Sequence, residues 1–325
     1  MKIDYHIYEL KAKNTINSKL SHTTRQGALL RVAFDKDRIG YADCHPWIEI
    51  GDDSLEKQLA KLQNGGLTSL TSQSMEAALI DANARAEKIN LFDGLTIPQS
   101  HYLIPNVMQW EEKDILQAIS NGFLYYKVKL GQQLDKESPR LIDLFTLLST
   151  KKCKVRFDFN HKLTETIFRK FLKDMNEYLQ MIDFCEDPFN FDEMAWRNVQ
   201  GEYQVALACD NKSEQALGRK HSANVIVIKP AVQNINGMNI NQCQQRVVFT
   251  SYLDHPVGQL FAAYNAAKVN VTDICGLTSH TAYELNDFSD RLLIDDAALV
   301  PPKGYGIGFD DLLAGLPWIS LNMSK

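Results

Sequence analysis

The sequence has no excess of basic residues. Its 35 lysines and arginines are outnumbered by 40 aspartates and glutamates, and the formal net charge is −5. Proteins that bind nucleic acid or anionic membranes usually present clustered positive charge, so we expect neither partner. No apolar run is long enough to span a bilayer, and the opening residues, MKIDYHIYELK, lack the long apolar core of a signal peptide. These absences favour a cytoplasmic protein.

Paired cysteines and glycine-rich phosphate loops are also missing. The six cysteines are widely scattered and form no CxxC pair, which predicts reduced thiols rather than a disulfide framework or a zinc site. They are Cys44, Cys153, Cys185, Cys209, Cys243 and Cys275. No glycine-rich loop follows any strand-like run, which argues against a doubly wound dinucleotide-binding sheet.

The first hundred residues predict a small α+β domain. Alternating apolar residues and turn signals indicate a hairpin, and two helical runs follow it. The predicted elements are a strand at 28–34, a turn at 35–37, a partner strand at 40–43, a helix at 55–62 capped by Ser54, and a helix at 75–89. A meander followed by helices predicts a separate domain over residues 1–100.

From about residue 102, short apolar runs recur at the spacing of β/α units, roughly 20–30 residues. The eight predicted strands are Leu103–Val107, Tyr125–Lys129, Val155–Asp158, Ile182–Glu186, Val205–Asp210, Val225–Lys229, Val247–Ser251 and Val269–Asp273. Most are followed by a helix-length interval, which predicts an α/β fold with a (β/α)8-type barrel over residues 101–300. The tail, residues 301–325, is too short for another unit. We expect it to pack back on the N-terminal domain and complete it.

Five charged residues stand at or near the C-terminal ends of five successive predicted strands, the second to the sixth. They are Lys129, Asp158, Glu186, Asp210 and Lys229. In a parallel barrel these ends converge on one mouth, and a charge beside buried residues is costly unless it is paired or bound to a metal. Any one carboxylate alone could be a solvated acid or a salt-bridge partner. Three at matched strand ends predict an all-oxygen site for Mg²⁺ or Mn²⁺.

The lysines predict acid–base or electrostatic chemistry. Lys127 and Lys129 share one face of a strand, because side chains alternate with period two. Two ammonium groups near each other and near a dication disfavour each other's protonation, so one can act as a base near neutral pH. Lys229 could be a second base or a cation that stabilises negative charge. The competing interpretations are a polar edge strand for the first two and a solvent-reaching lysine for the third.

The order and spacing of these residues resemble the enolase superfamily over essentially the whole chain. The matching motifs are Lys127-Val128-Lys129, Asp158 in Arg-Phe-Asp-Phe-Asn, Glu186 in Cys-Glu-Asp-Pro, Asp210 in Ala-Cys-Asp, and Lys229 in Ile-Lys-Pro. One lysine on each side of the active site is similar to the muconate-lactonizing-enzyme subgroup. Each motif alone is weak, but the set is highly specific.

Within that subgroup the chain most resembles the o-succinylbenzoate synthase family. The likeness lies in its short length and in three segments: Arg25-Gln26-Gly27, Asp158-Phe159-Asn160, and residues 249–258, which resemble a family segment that ends in a glycine and helps hold substrate carboxylates. The chain also departs from the family's motifs. The departures are Ala42-Asp43 in an expected Gly-x-Gly-Glu turn, Asp187 in Glu-Asp-Pro, Asn211-Lys212 after Asp210, and Tyr252-Leu253-Asp254 in a run that is usually rich in serine.

The resemblance implies a lyase of menaquinone biosynthesis. Its reaction would be the syn-dehydration of 2-succinyl-6-hydroxy-2,4-cyclohexadiene-1-carboxylate through an enolate. Asp158, Glu186 and Asp210 would hold Mg²⁺ or Mn²⁺, Lys129 would be the base, and Lys229 would stabilise the enolate. The small-molecule carboxylate would be bound by Lys127, Asn160, Thr250, Ser251 and Gly276, under a lid over Ser18–Arg25.

Other functions stay open at this point. The nearest is an N-acylamino acid racemase or dipeptide epimerase of the same superfamily, which would use both lysines as acid and base. A barrel that only binds, and an aldolase with Lys229 as a Schiff base, are the others. The sequence does not fix the oligomeric state and is compatible with a monomer.

Overall fold

The computed structural model describes residues 1–13, 24–211, 213–217, 222–238 and 240–322. The strands are β1 (Lys2–Lys11), β2 (Thr24–Ala33), β3 (Ile39–Cys44), β4 (Tyr102–Ile104), β5 (Tyr125–Lys129), β6 (Lys154–Asp158), β7 (Ile182–Glu186), β8 (Leu207–Cys209), β9 (Val225–Ile228), β10 (Arg246–Phe249), β11 (Ile294–Asp295), β12 (Ala298–Leu299) and β13 (Ile319–Leu321).

The helices are α1 (Leu55–Gln63), α2 (Ser69–Glu87), α3 (Glu112–Ser120), α4 (Leu134–Ser149), α5 (Glu165–Asp174), α6 (Glu193–Tyr203), α7 (Ser213–Ala216), α8 (Pro256–Lys268) and α9 (Asp310–Gly315). Short 3-10 helices span Ile48–Ile50, Val107–Gln109, Asn176–Met181, Ile240–Gln242, Ser279–Ala282 and Ser289–Arg291. Within the described residues, none of the helices is both long and apolar enough to cross a membrane.

The N-terminal domain, called the cap below, is an antiparallel sheet in the order β13-β1-β2-β3. The β2–β3 hairpin confirms the predicted pair of strands, whereas β1 was missed because its apolar residues are interrupted by polar ones. The tail strand β13 pairs with β1, so the C-terminus completes the cap as expected. The domain boundaries near residues 100 and 300 stay a prediction.

Helices α1 and α2 pack beside this sheet, and both begin at a capping residue. Ser54 accepts a hydrogen bond from the Lys57 amide, which confirms the predicted cap of α1. Helix α2 begins six residues before the predicted Met75, because Thr68 forms a capping box there. Gly40 of β3 lies against α2, where a Cβ atom would come within 1.9 Å of the Ala78 carbonyl oxygen. Its lack of a side chain therefore lets the helix and the strand meet.

The second sheet is a curled parallel sheet of seven strands in the order β10-β9-β8-β7-β6-β5-β4, with helices between them. This arrangement confirms the predicted barrel-type fold. The eighth predicted strand, Val269–Asp273, is wrong. Asn270 is left-handed (φ 53°) and the Val271 amide bonds to the Ala266 carbonyl oxygen, so the segment begins as the turn that ends α8 rather than as a strand.

The position of the eighth barrel strand is occupied by Cys275 and Gly276, which follow this segment in the chain. Cys275 bridges Ser100 on the β4 side, and Gly276 bridges Thr250 on the β10 side. The Gly276 amide donates to the Phe249 carbonyl oxygen at 2.8 Å. The circle is therefore completed by isolated bridges rather than by a full strand. All six cysteines are free thiols, as the sequence predicted.

Arginines and aspartates join the N-terminal ends of the barrel strands, opposite the predicted mouth. Arg156 is fully buried, with its Nε atom 2.7 Å from an Asp183 oxygen. Arg246 contacts both Asp183 and Asp273, at 2.9 and 2.8 Å. The floor of the barrel is thus tied together by fixed charge pairs, which leaves the other end for a functional site.

The cap meets the barrel through two carboxyl groups, the half-buried Asp43 of β3 and the buried Asp254 of the loop after β10. Asp43 accepts hydrogen bonds from the Tyr8 hydroxyl (2.6 Å) and the His255 amide (3.0 Å). Gly258, in the first turn of α8, can approach both carboxyl groups because it lacks a side chain. A Cβ atom at this position would lie 2.7 Å from an oxygen of each group. Gly258 therefore lies against the carboxyl groups of both Asp43 and Asp254.

The raised pKa values of these two carboxyl groups predict how the stability of the protein changes with pH. Burial raises the pKa of Asp254 to about 7, and burial together with Asp254 raises the pKa of Asp43 well above its usual value. A carboxyl group whose folded-state pKa is raised stabilises the protein at low pH, and this contribution is lost as the pH rises through the folded value. The asparagine in Asp254→Asn cannot ionise. The melting temperature of this variant relative to the wild type should therefore be a few degrees higher at about pH 8 than it is at about pH 5.

Differential scanning calorimetry of both proteins at the two pH values measures this gain. Asp174→Asn, at the exposed end of α5, is the matched control and should show a constant difference. An equally constant difference for Asp254→Asn would contradict the account of this interface.

Candidate active site

The strand register places three of the predicted residues side by side. Lys129 of β5 is paired with Asp158 of β6, which is paired with Glu186 of β7. Asp210 follows the last residue of β8, and Lys229 follows the last residue of β9. Side chains paired across parallel strands share a face, so these charged groups meet at one end of the barrel.

Ion pairs connect the carboxylates to two of the three lysines. The Lys127 ammonium lies 2.8 Å from Glu186 Oε1 and 3.2 Å from Asp158 Oδ2. The Lys229 ammonium contacts Asp210 Oδ2. In the part of the chain that the structure describes, Lys129 makes no such ion pair. Its amine is therefore the one that remains for a ligand.

The surroundings give the lysines different affinities for a proton. Burial lowers the pKa of Lys129 to about 8, against the opposing effect of Asp158. Burial acts in the same direction on Lys127 and Lys229, but neighbouring carboxylates outweigh it. Asp158 and Glu186 raise the pKa of Lys127, and Asp210 and Glu186 raise that of Lys229. Lys129 is the lysine that loses its proton most readily.

The carboxylates differ in the same way. Burial raises the pKa of Glu186 to about 8, and Asp158 and Asp210 add to this effect. Burial would also raise the pKa of Asp158, but Lys127 and Lys129 outweigh it and hold that pKa below its usual range. Glu186 therefore holds its proton more tightly than Asp158 does, and a cation bound beside it would favour its ionised form.

The donor set fits a hard divalent cation. Three carboxylates on neighbouring strands supply oxygen atoms alone, which suits Mg²⁺ or Mn²⁺ better than zinc. Within the described ranges, no three acidic, histidine or cysteine side chains are already close enough to form a complete ligand set. The Lys127 and Lys229 ammonium groups stand beside the same oxygens, so a metal ion would share these carboxylates with them.

Known proteins with similar sequences identify the family. The chain is 34% identical to an o-succinylbenzoate synthase from Bdellovibrio bacteriovorus over 336 residues, which cover 99% of each protein. The chain belongs to the o-succinylbenzoate synthase family. The family described as O-succinylbenzoate synthase, N-terminal domain, also matches residues 3–84, which correspond to most of the cap. The resemblance drawn from the motifs is confirmed, and the chain is an enzyme of the lyase class.

Solved structures share the fold of this chain. A dipeptide epimerase from Cytophaga hutchinsonii, complexed with Mg and D-Ala-L-Val, has a TM-score of 0.76 and 17% identity, covering 99% of both chains. Muconate lactonizing enzyme from Pseudomonas putida has a TM-score of 0.74 and 15% identity, covering 97% of this chain and 98% of that one. At these identities the likeness establishes the fold alone.

The predicted substrate-binding residues fall into two groups in this family member. Thr250 lies at the mouth, and its buried hydroxyl has no hydrogen-bond partner among the described residues, so it can bind a ligand. Gly276 is bridged to Thr250, and a Cβ there would lie 2.9 Å from the Thr250 methyl group. Ser251 instead bonds to Ser279 Oγ at 2.6 Å. Its hydroxyl is already used within the fold.

Asn160 and Lys127 are also engaged by protein atoms. The Asn160 side-chain amide donates to Asp158 Oδ1 at 2.7 Å, and Lys127 bridges Asp158 and Glu186. Their roles in binding substrate stay predictions. Of the predicted lid, Ser18–Arg25, residues 18–23 lie outside the described residues. Arg25 stacks over the Trp47 ring of the cap at 3.4 Å.

Two further residues near the site were not predicted from the sequence as functional. His101 Nε2 would lie 2.8 Å from a Cβ at Gly276, and its Nδ1 accepts from Arg156 at 3.1 Å. Because arginine always donates, the His101 proton must lie on Nε2. Asp187, the unusual residue of Glu-Asp-Pro, contacts the loop that carries Asp210. His101 has no local signal, whereas the departure at Asp187 was visible in the sequence.

Lys127 should be essential for stability in the absence of a divalent cation. Lys127→Gln leaves Asp158 and Glu186 buried without their shared ammonium, and breaking such a pair costs about 3–5 kcal/mol. We expect a large fall in melting temperature in EDTA that Mg²⁺ partly reverses. Thermal unfolding with each additive measures it, with the exposed Lys151→Gln as control. Equal melting temperatures for the two variants in EDTA would contradict this role.

Proposed function

We propose that this chain dehydrates 2-succinyl-6-hydroxy-2,4-cyclohexadiene-1-carboxylate to o-succinylbenzoate in menaquinone biosynthesis, in the cytoplasm. The observation that carries the proposal is the set of three carboxylates and flanking lysines on neighbouring strands of a family member. Such a set is suited to removing a weakly acidic proton next to a carboxylate.

Lys129 is the base in this proposal. Its pKa near 8 makes a neutral amine accessible at physiological pH, and no ion pair among the described residues competes for its nitrogen. It takes the ring proton next to the carboxylate, and the resulting ammonium then gives a proton to the hydroxyl leaving from the same face. One C–H and one C–O bond break, water departs, and the ring becomes aromatic.

Lys229 is the electrostatic partner. Asp210 and Glu186 raise its pKa, so it keeps its charge. A fixed ammonium stabilises negative charge that develops on the enolate, and it needs no reorganisation during the reaction. The contact with Asp210 also holds the ammonium in place.

Asp158, Glu186 and Asp210 would hold a divalent cation, Mg²⁺ or Mn²⁺. When bound, it would supply positive charge that stabilises the substrate's carboxylate as it becomes an enolate. A dipeptide epimerase of the same fold has been crystallised with Mg, which supports the choice. Thr250 and Gly276 are proposed to face the substrate, with Lys127, Asn160 and Ser251 completing the pocket.

A second function of the same superfamily has a specific observation in its favour. The pKa of Lys129 is lowered while that of Lys229 is raised, so one lysine can accept a proton while the other donates one. A racemase or epimerase needs this pairing across one carbon atom. N-acylamino acid racemisation or dipeptide epimerisation is therefore the alternative.

Substitution of the two lysines separates the roles. Lys129→Ala should lower kcat for dehydration about 10²–10⁴-fold, because it removes the base. Lys229→Arg should also lower it, because a planar guanidinium does not replace a compact ammonium. Formation of the aromatic product, followed by absorbance, measures both. Near-wild-type activity of Lys129→Ala would show that another group is the base.

Solvent deuterium tests the alternative with the same variants. A two-base racemase exchanges the α-proton of an N-acylamino acid with D₂O and gives racemic product, whereas a dehydratase gives aromatic product and water. Mass and chiral chromatography of the recovered substrate distinguish the two. Rapid racemisation without dehydration of the diene would overturn the proposed function.

The pH dependence follows from the Lys129 amine. Only its neutral form is a base, so kcat/KM should rise with pH and level off, with a midpoint at or below about 8. Added positive charge from a bound cation moves this midpoint down rather than up. Initial rates from about pH 5 to about pH 9 give the profile. A profile without this rising limb would contradict the assignment of Lys129.

A further inference from the structure

Asp187 is a buried residue with an unusual backbone conformation, directly after Glu186 at the end of β7. Its φ angle is 42°, in the left-handed region that side chains other than glycine and asparagine or aspartate rarely adopt. It also precedes Pro188, which further restricts its backbone. Strain of this kind persists where the surrounding structure demands a particular geometry.

The side chain of Asp187 turns towards the end of β8. Its Oδ1 accepts a hydrogen bond from the Asp210 amide at 3.3 Å, and its Oδ2 accepts one from the Asn211 amide at 3.1 Å. The Oδ2 atom also lies 3.2 Å from His161 Nε2, in the loop after β6. One carboxylate thus connects three strand ends at the mouth of the barrel.

Asp210 depends on such support more than the other two carboxylates do. Asp158 and Glu186 are the last residues of β6 and β7 and are held by the strand ladder. Strand β8 is only three residues long, and its pairing with β9 ends at Cys209. The Asp210 amide is therefore fixed by a side chain from the preceding strand end.

We propose that Asp187 is a positioning residue that sets the Asp210 carboxylate for binding the divalent cation. The proposal rests on the proposed function, because it assumes that Asp210 is a metal ligand. Ligands must be held within about 0.5 Å of a working geometry, and groups that orient them typically contribute 10–100-fold in metal affinity. The departure from the family's commoner Glu-Glu-Pro or Glu-Gln-Pro thus serves the metal site.

Two variants test this without forcing the backbone, since asparagine and glycine both accept a positive φ. Asp187→Asn loses one acceptor oxygen and the charge, and Asp187→Gly loses the side chain. Isothermal calorimetry of metal-free protein with MgCl₂ should give a Kd about 10–100-fold weaker than wild type for both. With saturating Mg²⁺, kcat should recover while the Mg²⁺ concentration for half-maximal rate stays raised.

Two further proteins make the outcome decisive. Asp192→Asn is the matched control: it is the same change in the same loop, at an exposed cap of α6 that bonds to the Ala195 amide. It should bind Mg²⁺ like wild type.

Asp210→Asn should bind Mg²⁺ far more weakly. If wild type and Asp210→Asn have the same affinity, or wild type binds no Mg²⁺, the proposed metal site fails and the role of Asp187 with it. If Asp210→Asn is impaired but both Asp187 variants match wild type, the inference about Asp187 alone is overturned.

Discussion

The buried ammonium of Lys127 between Glu186 and Asp158 is the interaction on which the mouth of the barrel depends. Two carboxylates that converge away from water would repel each other and take up protons, and a shared cation opposes this. Lys229 does the same for Asp210. With these two lysines committed to carboxylates, Lys129 is left in a positive and buried environment, where its amine loses a proton easily. The different proton affinities of the lysines thus follow from burial and from which of them are paired with carboxylates.

The two ends of the barrel compensate buried charge with different kinds of ion pair. At the floor, Arg156 and Arg246 meet Asp183 and Asp273, and these arginines cannot lose their protons. At the mouth, lysines and carboxylates with shifted pKa values face one another. The second arrangement contains groups that can exchange protons, so the mouth is where we propose that the chemistry takes place. The floor contributes rigidity.

Much of the site could be predicted from the sequence because period-two alternation and strand ends are local properties. The positions of Lys129, Asp158 and Glu186 follow from the ends of three apolar runs, and the structure pairs them in register. The eighth strand could not be predicted in this way. Val269 and Val271 alternate as in a strand, but they end a helix, and the barrel closes through Cys275 and Gly276 instead.

Some contacts between distant parts of the chain could not be predicted from the sequence, for a physical reason. Asp43 and Asp254 are separated by more than two hundred residues and meet only when the cap docks on the barrel. The tail was expected to pack on the N-terminal domain, but its strand partner there, β1, was not predicted. Asp187 is an intermediate case: the departure from the family motif was visible, but its meaning required the backbone conformation and the two amides that it binds.

The central claim is that this mouth performs metal-dependent dehydration. The most direct measurement supplies purified enzyme with the cyclohexadiene substrate and, separately, with an N-acylamino acid, each with Mg²⁺ and with EDTA. We predict rapid formation of the aromatic product, loss of that activity in EDTA and its return with Mg²⁺. Formation of aromatic product no faster than in buffer, or at a rate that EDTA leaves unchanged, would contradict it.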